Sequence, residues 1–424
     1  MSGRLKLERR KTPAGQDTLL VNGKFFHSRY DPVKEARRQA EKVGEEDIVF
    51  VLSPGLGYLA DVIGPERVRL VERHPEIAAL RDDLDFLVAP SFEKVYEEAL
   101  DFIDTGKKRL VLLEGVVLEE DRGYYSRVRS AIEAALEKAV EQRLTIEAFG
   151  ELWERNIRAN AESFPRARWI SELVGAFRGY AAVLFAAGPG LERQIEDWRG
   201  LVGTKRLPKT VLVSVDSAFP FLRTAALPVD YCFTTDPQPV KAEYLSALGE
   251  TPLVASVLSP PEIVGRATRL FFYGQNHPLE DSLGVPRTAR VADPGGSVST
   301  TAAGILLGWG VSEIVLVGQD LAFAEGVTHS RETQAPLRYR FFSREDRAFR
   351  IRRTRNLRPV RSVSGKTVWT TPALDSYRRF FSRLARANPE VRFIQTAPFG
   401  AEIEGVPSMA LSDWLEKRRK NVEK

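Results

Sequence analysis

Short apolar runs alternate with helical patterns through the second half of the chain. Continuous apolar runs predict strands that are buried on both faces, and the intervening helices predict that those strands are parallel. Seven runs fit this description: Ala182–Ala186, Thr210–Val215, Tyr231–Thr234, Leu253–Val257, Leu270–Tyr273, Glu313–Val317 and Val391–Thr396. We therefore predict a doubly wound, mostly parallel α/β sheet of Rossmann-like type over residues 166–405.

The first part of the chain predicts a smaller α/β domain. Two short strands, Thr18–Val21 and Lys24–His27, flank the pair Asn22-Gly23, which is typical of a hairpin turn. A charged helical pattern follows and leads into alternating strands and helices. The strands of this part are predicted at Ile48–Leu52, Val68–Val71 and Leu110–Leu113.

Helical periodicity dominates the stretch between these two regions. Ile132, Leu136, Val140 and Leu144 fall on one face of a helix, which suggests a connector between domains. The predicted division is an N-terminal small α/β domain at 1–120, a helical connector at 121–165, the large domain at 166–405 and a C-terminal helix at 406–424.

The composition is that of a soluble globular protein. Of its 424 residues 43% are hydrophobic and 28% charged, which does not indicate disorder. No apolar run approaches the ~18 residues of a membrane span, and the N-terminal sequence lacks a signal-peptide pattern. A single cysteine, Cys232, excludes an internal disulfide and, with four scattered histidines, argues against a structural zinc site. The net charge of +5 is too dispersed to indicate nucleic acid, so we expect a cytoplasmic protein with a small anionic ligand.

A turn followed by a helix start is the strongest indication of a ligand site. The turn ends at Gly296, and the helix that follows begins with Ser297, Ser299 and Thr300. Free N–H groups and hydroxyls at a helix start suit a phosphate or carboxylate.

The next strand adds polar residues to the same region. Gln319 and Asp320 follow the strand Glu313–Val317, and His329 lies a little farther along. Open α/β sheets bind ligands at the carboxyl ends of their strands, which is where these residues are predicted to lie.

Other predicted strands of the large domain also end in glycine or polar residues. Gly188, Pro189 and Gly190 form a turn between a strand and a helix, where glycine lets a ligand phosphate approach the backbone. Two later strands end at Asp216-Ser217 and at Thr235-Asp236. We predict that all of these groups share one edge of the sheet.

A second glycine-rich turn lies in the N-terminal domain. Gly55 and Gly57 follow a strand, and Glu72 ends the next one, a spacing reminiscent of nucleotide or S-adenosylmethionine binding. Two glycines and one acid also occur in many tight turns without a cofactor. We expect the turn to be structural.

The order of these motifs resembles a known family. Gly188–Leu191, Val215–Phe219, Thr235–Pro237, Gly296–Ala302 and Gly318–Phe323 look like the motility-associated factor (Maf) glycosyltransferases, over roughly residues 45–405. The core is also similar to bacterial sialyltransferases that use CMP-activated sugars and to archaeal-type pterin pyrophosphokinases. The resemblance implies a cytoplasmic enzyme that attaches a nonulosonic (sialic-like) acid to Ser or Thr of flagellin. It places a sialyltransferase-like core in the large domain.

The chemistry of a CMP donor assigns roles to the predicted site residues. The leaving phosphate, or the donor carboxylate, would be bound by Gly188, Gly190, Ser297, Ser299 and Thr300. The other predicted residues for binding the donor or its nucleotide are Pro189, Asp216, Ser217, Asp236, Gly296 and Gln319. A hydroxyl acceptor needs a general base, and His329 or Asp320 could supply it. No metal or other cofactor is then required. The histidine base of the related sialyltransferases has no counterpart in Val368–Pro372.

Two other functions remain open at this point. A pyrophosphokinase would use ATP with Mg²⁺, for which Asp216 and Asp236 are the natural ligands. A non-catalytic Maf-like binding protein could have lost its base. The arginine-rich segment 338–361 is either a lid over an acidic donor, a docking surface for an acidic partner or a solvated insertion.

Overall fold

The computed structural model describes residues 5–103, 109–239, 245, 248–323, 329–330 and 356–420. The chain divides into two compact units, Met1–Ala148 and Phe149–Lys424. Within the described ranges, no helix combines the length and the apolar character that crossing a membrane would require.

The first unit contains a small antiparallel sheet and a parallel one. The antiparallel sheet consists of β1 (Leu7–Lys11), β2 (Asp17–Val21) and β3 (Lys24–Phe25), in that order. The remaining elements are α1 (Pro32–Ala40), β4 (Ile48–Leu52), α2 (Tyr58–Ile63), β5 (Val68–Glu72), α3 (Pro75–Ala78), β6 (Phe86–Val88), α4 (Phe92–Ile103) and β7 (Leu110–Glu114). Strands β4–β7 form a parallel sheet in the order β6-β5-β4-β7.

The predicted hairpin is confirmed, and its turn explains why the sequence forms it. Asn22 and Gly23 have φ angles of 51° and 81°, the positive values that a tight hairpin turn needs at both central positions. The two residues connect β2 to β3, whose pairing joins Val21 with Lys24.

A single helix, α5 (Arg122–Ala161), occupies the region of the predicted connector. Its early apolar residues, including Val128 and Ile132, belong to the apolar core of the first unit, whereas Ile157 belongs to that of the second. The boundary between the units therefore falls inside this helix. The predicted apolar face is only partly used, because Leu144 is 55% exposed.

The second unit is an α/β layer structure around one large sheet. Its elements are β8 (Arg168–Trp169), β9 (Ala181–Phe185), α6 (Leu191–Leu201), β10 (Thr210–Val215), α7 (Phe219–Thr224), β11 (Tyr231–Thr234), β12 (Leu253–Ser256), α8 (Pro261–Val264), β13 (Leu270–Tyr273), α9 (Val298–Gly308), β14 (Glu313–Val317), β15 (Arg358–Arg361), β16 (Thr367–Thr370), α10 (Pro372–Ala387), β17 (Arg392–Gln395) and α11 (Leu411–Lys420).

Within the described ranges the large sheet has eight strands, all parallel, in the order β17-β14-β9-β10-β11-β12-β13-β8. Strands β9, β10 and β14, which the apolar runs assign to one sheet, are neighbours in it. The predicted parallel α/β fold is thus confirmed. Its core is apolar on both faces, as the continuous runs require.

The order of strands changes direction at β9. The chain proceeds from β9 through β13 on one side and then places β14 and β17 on the other side. Ligands of open α/β sheets bind near such a reversal, outside the carboxyl ends of the strands. We therefore expect a ligand site at the loops after β9 and β14.

Candidate functional site

The loops after β9 and β14 are bonded directly to each other. The N–H of Gly188 donates to the carbonyl oxygen of Gly318 at 2.7 Å. The N–H of Gly190 donates to Asp320 Oδ2 at 3.0 Å, across 130 residues of sequence. The predicted glycine turn and the predicted Gly318–Asp320 segment thus form one structure.

Gly188 is required by this contact, because a side chain there has no room beside Gly318 and Asp320. A Cβ atom at Gly188 would overlap the Gly318 carbonyl oxygen and Asp320 Oδ2, and one at Gly190 would lie 2.9 Å from Asp320 Oδ1. The glycine turn by itself suggests that a bulky residue at Gly188, such as Val, would exclude a ligand and leave the fold intact, and these contacts contradict that prediction. The backbone carbonyl of Gly318 cannot move aside without shifting β14.

We expect Gly188→Ala to lower the free energy of unfolding by about 1–3 kcal/mol, the usual cost of overpacking. Urea unfolding followed by tryptophan fluorescence would measure it. Gly200→Ala is the matched control, because a Cβ there meets nothing within 4 Å and alanine favours a helix by about 0.5–1 kcal/mol. Equal stability of wild type and Gly188→Ala would contradict the packing argument.

Asp320 is a buried carboxylate, only 2% exposed. Burial raises the pKa of Asp320 to about 6, and the hydrogen bond from Gly190 offsets part of that effect. Its carbonyl oxygen accepts from the N–H of Ala401 at 2.8 Å. Asp320 therefore holds the glycine turn, and its side chain lies beneath the surface of the sheet edge.

The start of α9 is capped by its own side chains. Ser297 Oγ accepts from the N–H of Thr300 at 3.2 Å, and Thr300 Oγ1 accepts from the N–H of Ser297 at 2.9 Å. Ser297 is half-buried, while Gly296 before it is exposed. The cap uses the N–H of Thr300, and helix geometry leaves the N–H groups of Val298 and Ser299 without acceptors within the helix, so this end can bind an anion.

Gln319 joins the start of α9 to the end of β14. Its Nε2 donates to Ser299 Oγ at 3.1 Å, and Ser299 Oγ lies 3.1 Å from Ser297 Oγ. Gln319 is 5% exposed, and its Oε1 has no hydrogen-bond partner within the described part of the chain. Whichever way the amide is oriented, one of its polar atoms is buried beside the helix start without a partner, which costs free energy.

The remaining predicted side chains lie along the same edge, at the ends of β10 and β11. Asp216 is buried; its Oδ1 accepts from the N–H of Ser217 at 2.6 Å, and its Oδ2 accepts from Thr234 Oγ1 at 2.9 Å. Asp236 is half-buried and accepts from the N–H of Gln238 at 2.9 Å. The next residue after Asp236, Pro237, is half-buried as well.

These carboxylates define where Mg²⁺ would bind under the pyrophosphokinase hypothesis. Within the described ranges, no three His, Cys, Asp or Glu side chains are grouped closely enough to hold a metal ion. Mg²⁺ often needs only one or two carboxylates together with substrate phosphates, so Asp216 and Asp236 fit that lesser requirement.

His329 is exposed and lies next to a residue that is anchored to the glycine turn. The N–H of Ser330 donates to the carbonyl oxygen of Ala187 at 2.8 Å, and Ser330 Oγ donates to Glu192 Oε1 at 2.7 Å. The backbone at His329 is therefore close to the turn that contains Gly188, Pro189 and Gly190.

Most of the arginine-rich segment 338–361 lies outside the described residues. Its last part forms β15, where Arg358 lies 3.7 Å from Asp375 and Arg361 lies 3.3 Å from Glu402. The segment Val368–Pro372, which has no counterpart of the sialyltransferase histidine, lies beside the site. Its Thr370 Oγ1 donates to the carbonyl oxygen of Leu321, which follows Asp320, at 2.7 Å.

Two groups of residues at this edge are absent from the sequence-based prediction. Gln194 Oε1 accepts from the N–H of Gly318 at 2.7 Å, and Gln194 Nε2 donates to Thr396 Oγ1 at 2.6 Å. Gln275 and His277 follow the apolar strand β13. The rule that identified Asp216 and Asp236, a polar residue directly after an apolar run, would have found this second group.

The glycine turn of the first unit is filled by a side chain of the protein itself. The N–H of Leu56 donates to His27 Nε2 at 2.7 Å, and a Cβ at Gly55 would lie 2.5 Å from that nitrogen. Burial lowers the pKa of His27 to about 4, so the imidazole is neutral and can accept. Glu72 is completely buried. These contacts give the turn a structural role, and that it binds no cofactor stays a prediction.

Three comparisons relate this chain to known proteins. Residues 155–326 match the family model described as 6-hydroxymethylpterin diphosphokinase MptE-like. A protein of Treponema pallidum (strain Nichols), named only as an uncharacterized protein, is 26% identical in an alignment of 207 positions that covers 43% of this chain and 68% of that protein. The structure of the Maf glycosyltransferase from Magnetospirillum magneticum AMB-1 superposes with a TM-score of 0.61 at 13% identity, covering 99% of this chain and 74% of that one.

The two kinds of match agree on the same part of the molecule. The MptE-like match includes β8–β14 and with them Gly188, Ser297 and Asp320. The Maf structure extends the likeness in fold to almost the whole chain. This protein therefore has the fold of a Maf glycosyltransferase, with a Maf glycosyltransferase-like core.

Proposed function

We propose that this protein is a glycosyltransferase that moves a nonulosonic (sialic-like) acid from a CMP-activated donor to a Ser or Thr hydroxyl of a protein acceptor such as flagellin. One observation carries the proposal: Gln319 is bonded to Ser299 at the start of α9 and keeps a buried polar atom without a partner in the described part of the chain. A bound ligand would satisfy that atom. The shared fold with a Maf glycosyltransferase supports the choice of reaction.

The start of α9 suits the phosphate of CMP. As the bond between sugar and phosphate breaks, negative charge accumulates on the phosphate, and the sugar becomes oxocarbenium-like. Donors fixed in advance stabilise that charge without having to reorient. The hydroxyls of Ser297 and Ser299 and the first N–H groups of α9 would supply these donors.

The acceptor hydroxyl must lose a proton as it attacks the sugar. We assign this proton to His329, because the side chain is exposed and its neighbour Ser330 is anchored to Ala187 beside the glycine turn. Asp320 is the second candidate, and its raised pKa would make it a better proton acceptor than an ordinary aspartate. Its burial and its bond to Gly190 favour a positioning role instead.

The pyrophosphokinase is the second candidate function, and the match of residues 155–326 to the MptE-like model favours it. In that case Asp216 and Asp236 would hold Mg²⁺ against the phosphates of ATP, and the metal would neutralise their charge. A binding protein without catalysis would use the same sheet edge but leave no role for His329.

Chelation separates these functions. We expect transfer from a CMP-activated sialic acid to survive EDTA, because N–H groups and hydroxyls alone can stabilise a single leaving phosphate. Pyrophosphoryl transfer from ATP would stop. The assay is turnover with each donor before and after EDTA, together with thermal shifts by CMP, CMP-sialate, ATP with Mg²⁺ and S-adenosylmethionine. Stabilisation by ATP with Mg²⁺ but not by CMP or CMP-sialate would reject the proposal.

A further inference from the structure

The loop after β13, residues 274–280, is held in place by a buried ion pair. We call it the β13 loop. Glu280 is completely buried and accepts from the N–H groups of Gln275 at 2.6 Å and Asn276 at 3.2 Å. Arg290 Nε lies 3.2 Å from the same carboxylate. A buried ion pair contributes little net stability, so it is weak evidence for a purely stabilising role.

The backbone of the β13 loop is built around this carboxylate. A Cβ at Gly274 would overlap Glu280 Oε2, so only glycine fits there. Asn276 has a φ of 61°, in the left-handed region that costs free energy for most residues. The loop is therefore fixed in one conformation at some cost, which is typical of a segment that positions side chains for a ligand.

The side chains of the loop are oriented by their own hydrogen bonds. Gln275 Nε2 donates to Thr235 Oγ1, and Asn276 Nδ2 donates to the carbonyl oxygen of Val291 at 3.0 Å. In each of these two side chains the amide nitrogen is used in a hydrogen bond within the protein. The amide oxygen is left to accept a hydrogen bond from another group.

His277 adds a donor to these two acceptors. Its Nδ1 accepts from the N–H of Leu279 at 3.2 Å, and burial lowers the pKa of His277, so the imidazole is neutral with its proton on Nε2. Both Gln275 and His277 are half-buried. The β13 loop therefore offers two oxygen acceptors and one N–H donor, without a net charge of its own at the edge of the sheet.

The position of the loop relative to α9 indicates which part of the donor it would meet. Helix α9 packs over β9, β10 and β11, and β13 lies two strands beyond β11, roughly 10 Å away at the usual strand spacing. On the β14 side, the loops after β9 and β14 are bonded to each other through the N–H groups of Gly188 and Gly190. A group attached to a phosphate at the start of α9 would therefore extend towards the β13 loop.

We propose that the β13 loop binds the sugar of the donor through its hydroxyl and amide groups. This inference rests on the proposed glycosyltransferase function. Sugar hydroxyls donate and accept at once, which matches a surface of two acceptors and one donor. A phosphate or carboxylate only accepts, so the oxygens of Gln275 and Asn276 would disfavour it there.

The test compares the affinities of CMP and of CMP-sialate by calorimetry. We expect Gln275→Ala and His277→Ala each to weaken CMP-sialate about tenfold, the effect of losing one hydrogen bond, and to change CMP affinity less than about twofold. Asn388→Ala is the control: its amide bonds Leu384 at the other edge of the sheet, between α10 and β17, and both affinities should stay unchanged. Thermal melting of every variant, with His277→Gln as a milder change, verifies folding.

Three outcomes would overturn the proposal, and they differ from one another. An equal loss of affinity for CMP and CMP-sialate in folded variants would place the nucleotide, not the sugar, on the β13 loop. No loss for either ligand would make the loop structural. If the wild-type protein binds neither ligand, the proposed donor itself is wrong, and the inference falls with it.

Discussion

We expect His329→Ala to lower turnover of the proposed transfer by about 10²–10⁴-fold, the usual contribution of a general base. Donor affinity should change little, because the residues proposed to bind the phosphate lie at the start of α9 and not at His329. Steady-state kinetics with a CMP-activated sialic acid and a hydroxyl acceptor would measure turnover, and calorimetry would measure donor affinity.

Asp320→Asn is the matched variant, since it separates a base from a positioning residue. Asparagine keeps an oxygen that can accept from the N–H of Gly190 but cannot take up the proton of the acceptor. If Asp320 only holds the glycine turn, Asp320→Asn should retain turnover within a few-fold. A loss of 10²-fold or more in Asp320→Asn, with His329→Ala unaffected, would transfer the role of base to Asp320.

Added imidazole provides a further control. A small base in solution can replace a missing side chain only where that side chain accepted a proton, so partial rescue of His329→Ala would identify proton transfer rather than folding as the cause. Absence of rescue, combined with a lowered melting temperature, would assign a structural role to His329.

The large sheet could be predicted because its strands are buried on both faces. Such strands are apolar at nearly every position, as in Thr210–Val215 and Glu313–Val317. The observed bounds of these two strands are identical to the predicted ones. Strand β8 has only two residues, and β15 reads Arg-Pro-Val-Arg with an exposed or half-buried pattern. Neither contains an apolar run, so neither could be predicted in this way.

The candidate site was predictable as a set of strand ends but not as a network of contacts. That Asp320 follows β14 and Gly188 follows β9 is visible in the sequence. Asp320 fills the space that a side chain at Gly188 would need. This contact exists only because two strands become neighbours, although 130 residues separate their loops. The insertion of His27 at Gly55 likewise depends on a contact between a hairpin and a distant turn.

The first unit contains two buried groups whose titration should have opposite effects on stability. Burial raises the pKa of Glu72 from its ordinary 4.5 to about 7, and it lowers the pKa of His27 from 6.5 to about 4. Between pH 4.5 and 7 the folded state holds a proton on Glu72 that the unfolded state has lost. Glu72 therefore makes stability fall as pH rises through this window.

His27 acts in the other direction. Between pH 4 and 6.5 the unfolded state protonates this histidine and the folded state does not, so stability rises with pH. Each shift is 2.5 pH units, and at 1.36 kcal/mol per unit each group contributes about 3 kcal/mol across its window. Near pH 5–6 the two opposite pH dependences largely cancel in the stability of the wild-type protein. A variant that lacks one of the two groups should show the pH dependence of the other.

We expect Glu72→Gln to match the wild type below pH 4.5 and to exceed its stability by about 3 kcal/mol above pH 7. Glutamine keeps an oxygen for the N–H of His74, which donates to Glu72 Oε1 at 3.0 Å, and it has no charge to bury. Urea unfolding at pH 4, 5.5 and 8, followed by circular dichroism, would measure the difference.

All six tryptophans lie in the second unit, so tryptophan fluorescence reports the unfolding of that unit and serves as an internal control. Where the two units unfold separately, the fluorescence transition of Glu72→Gln should be the same as that of the wild type. A stability difference between Glu72→Gln and wild type that is the same at pH 4 and pH 8 would show that Glu72 does not titrate in this range. The buried carboxyl would then be stabilised by its bonds to His74 and Tyr125 more strongly than burial destabilises it.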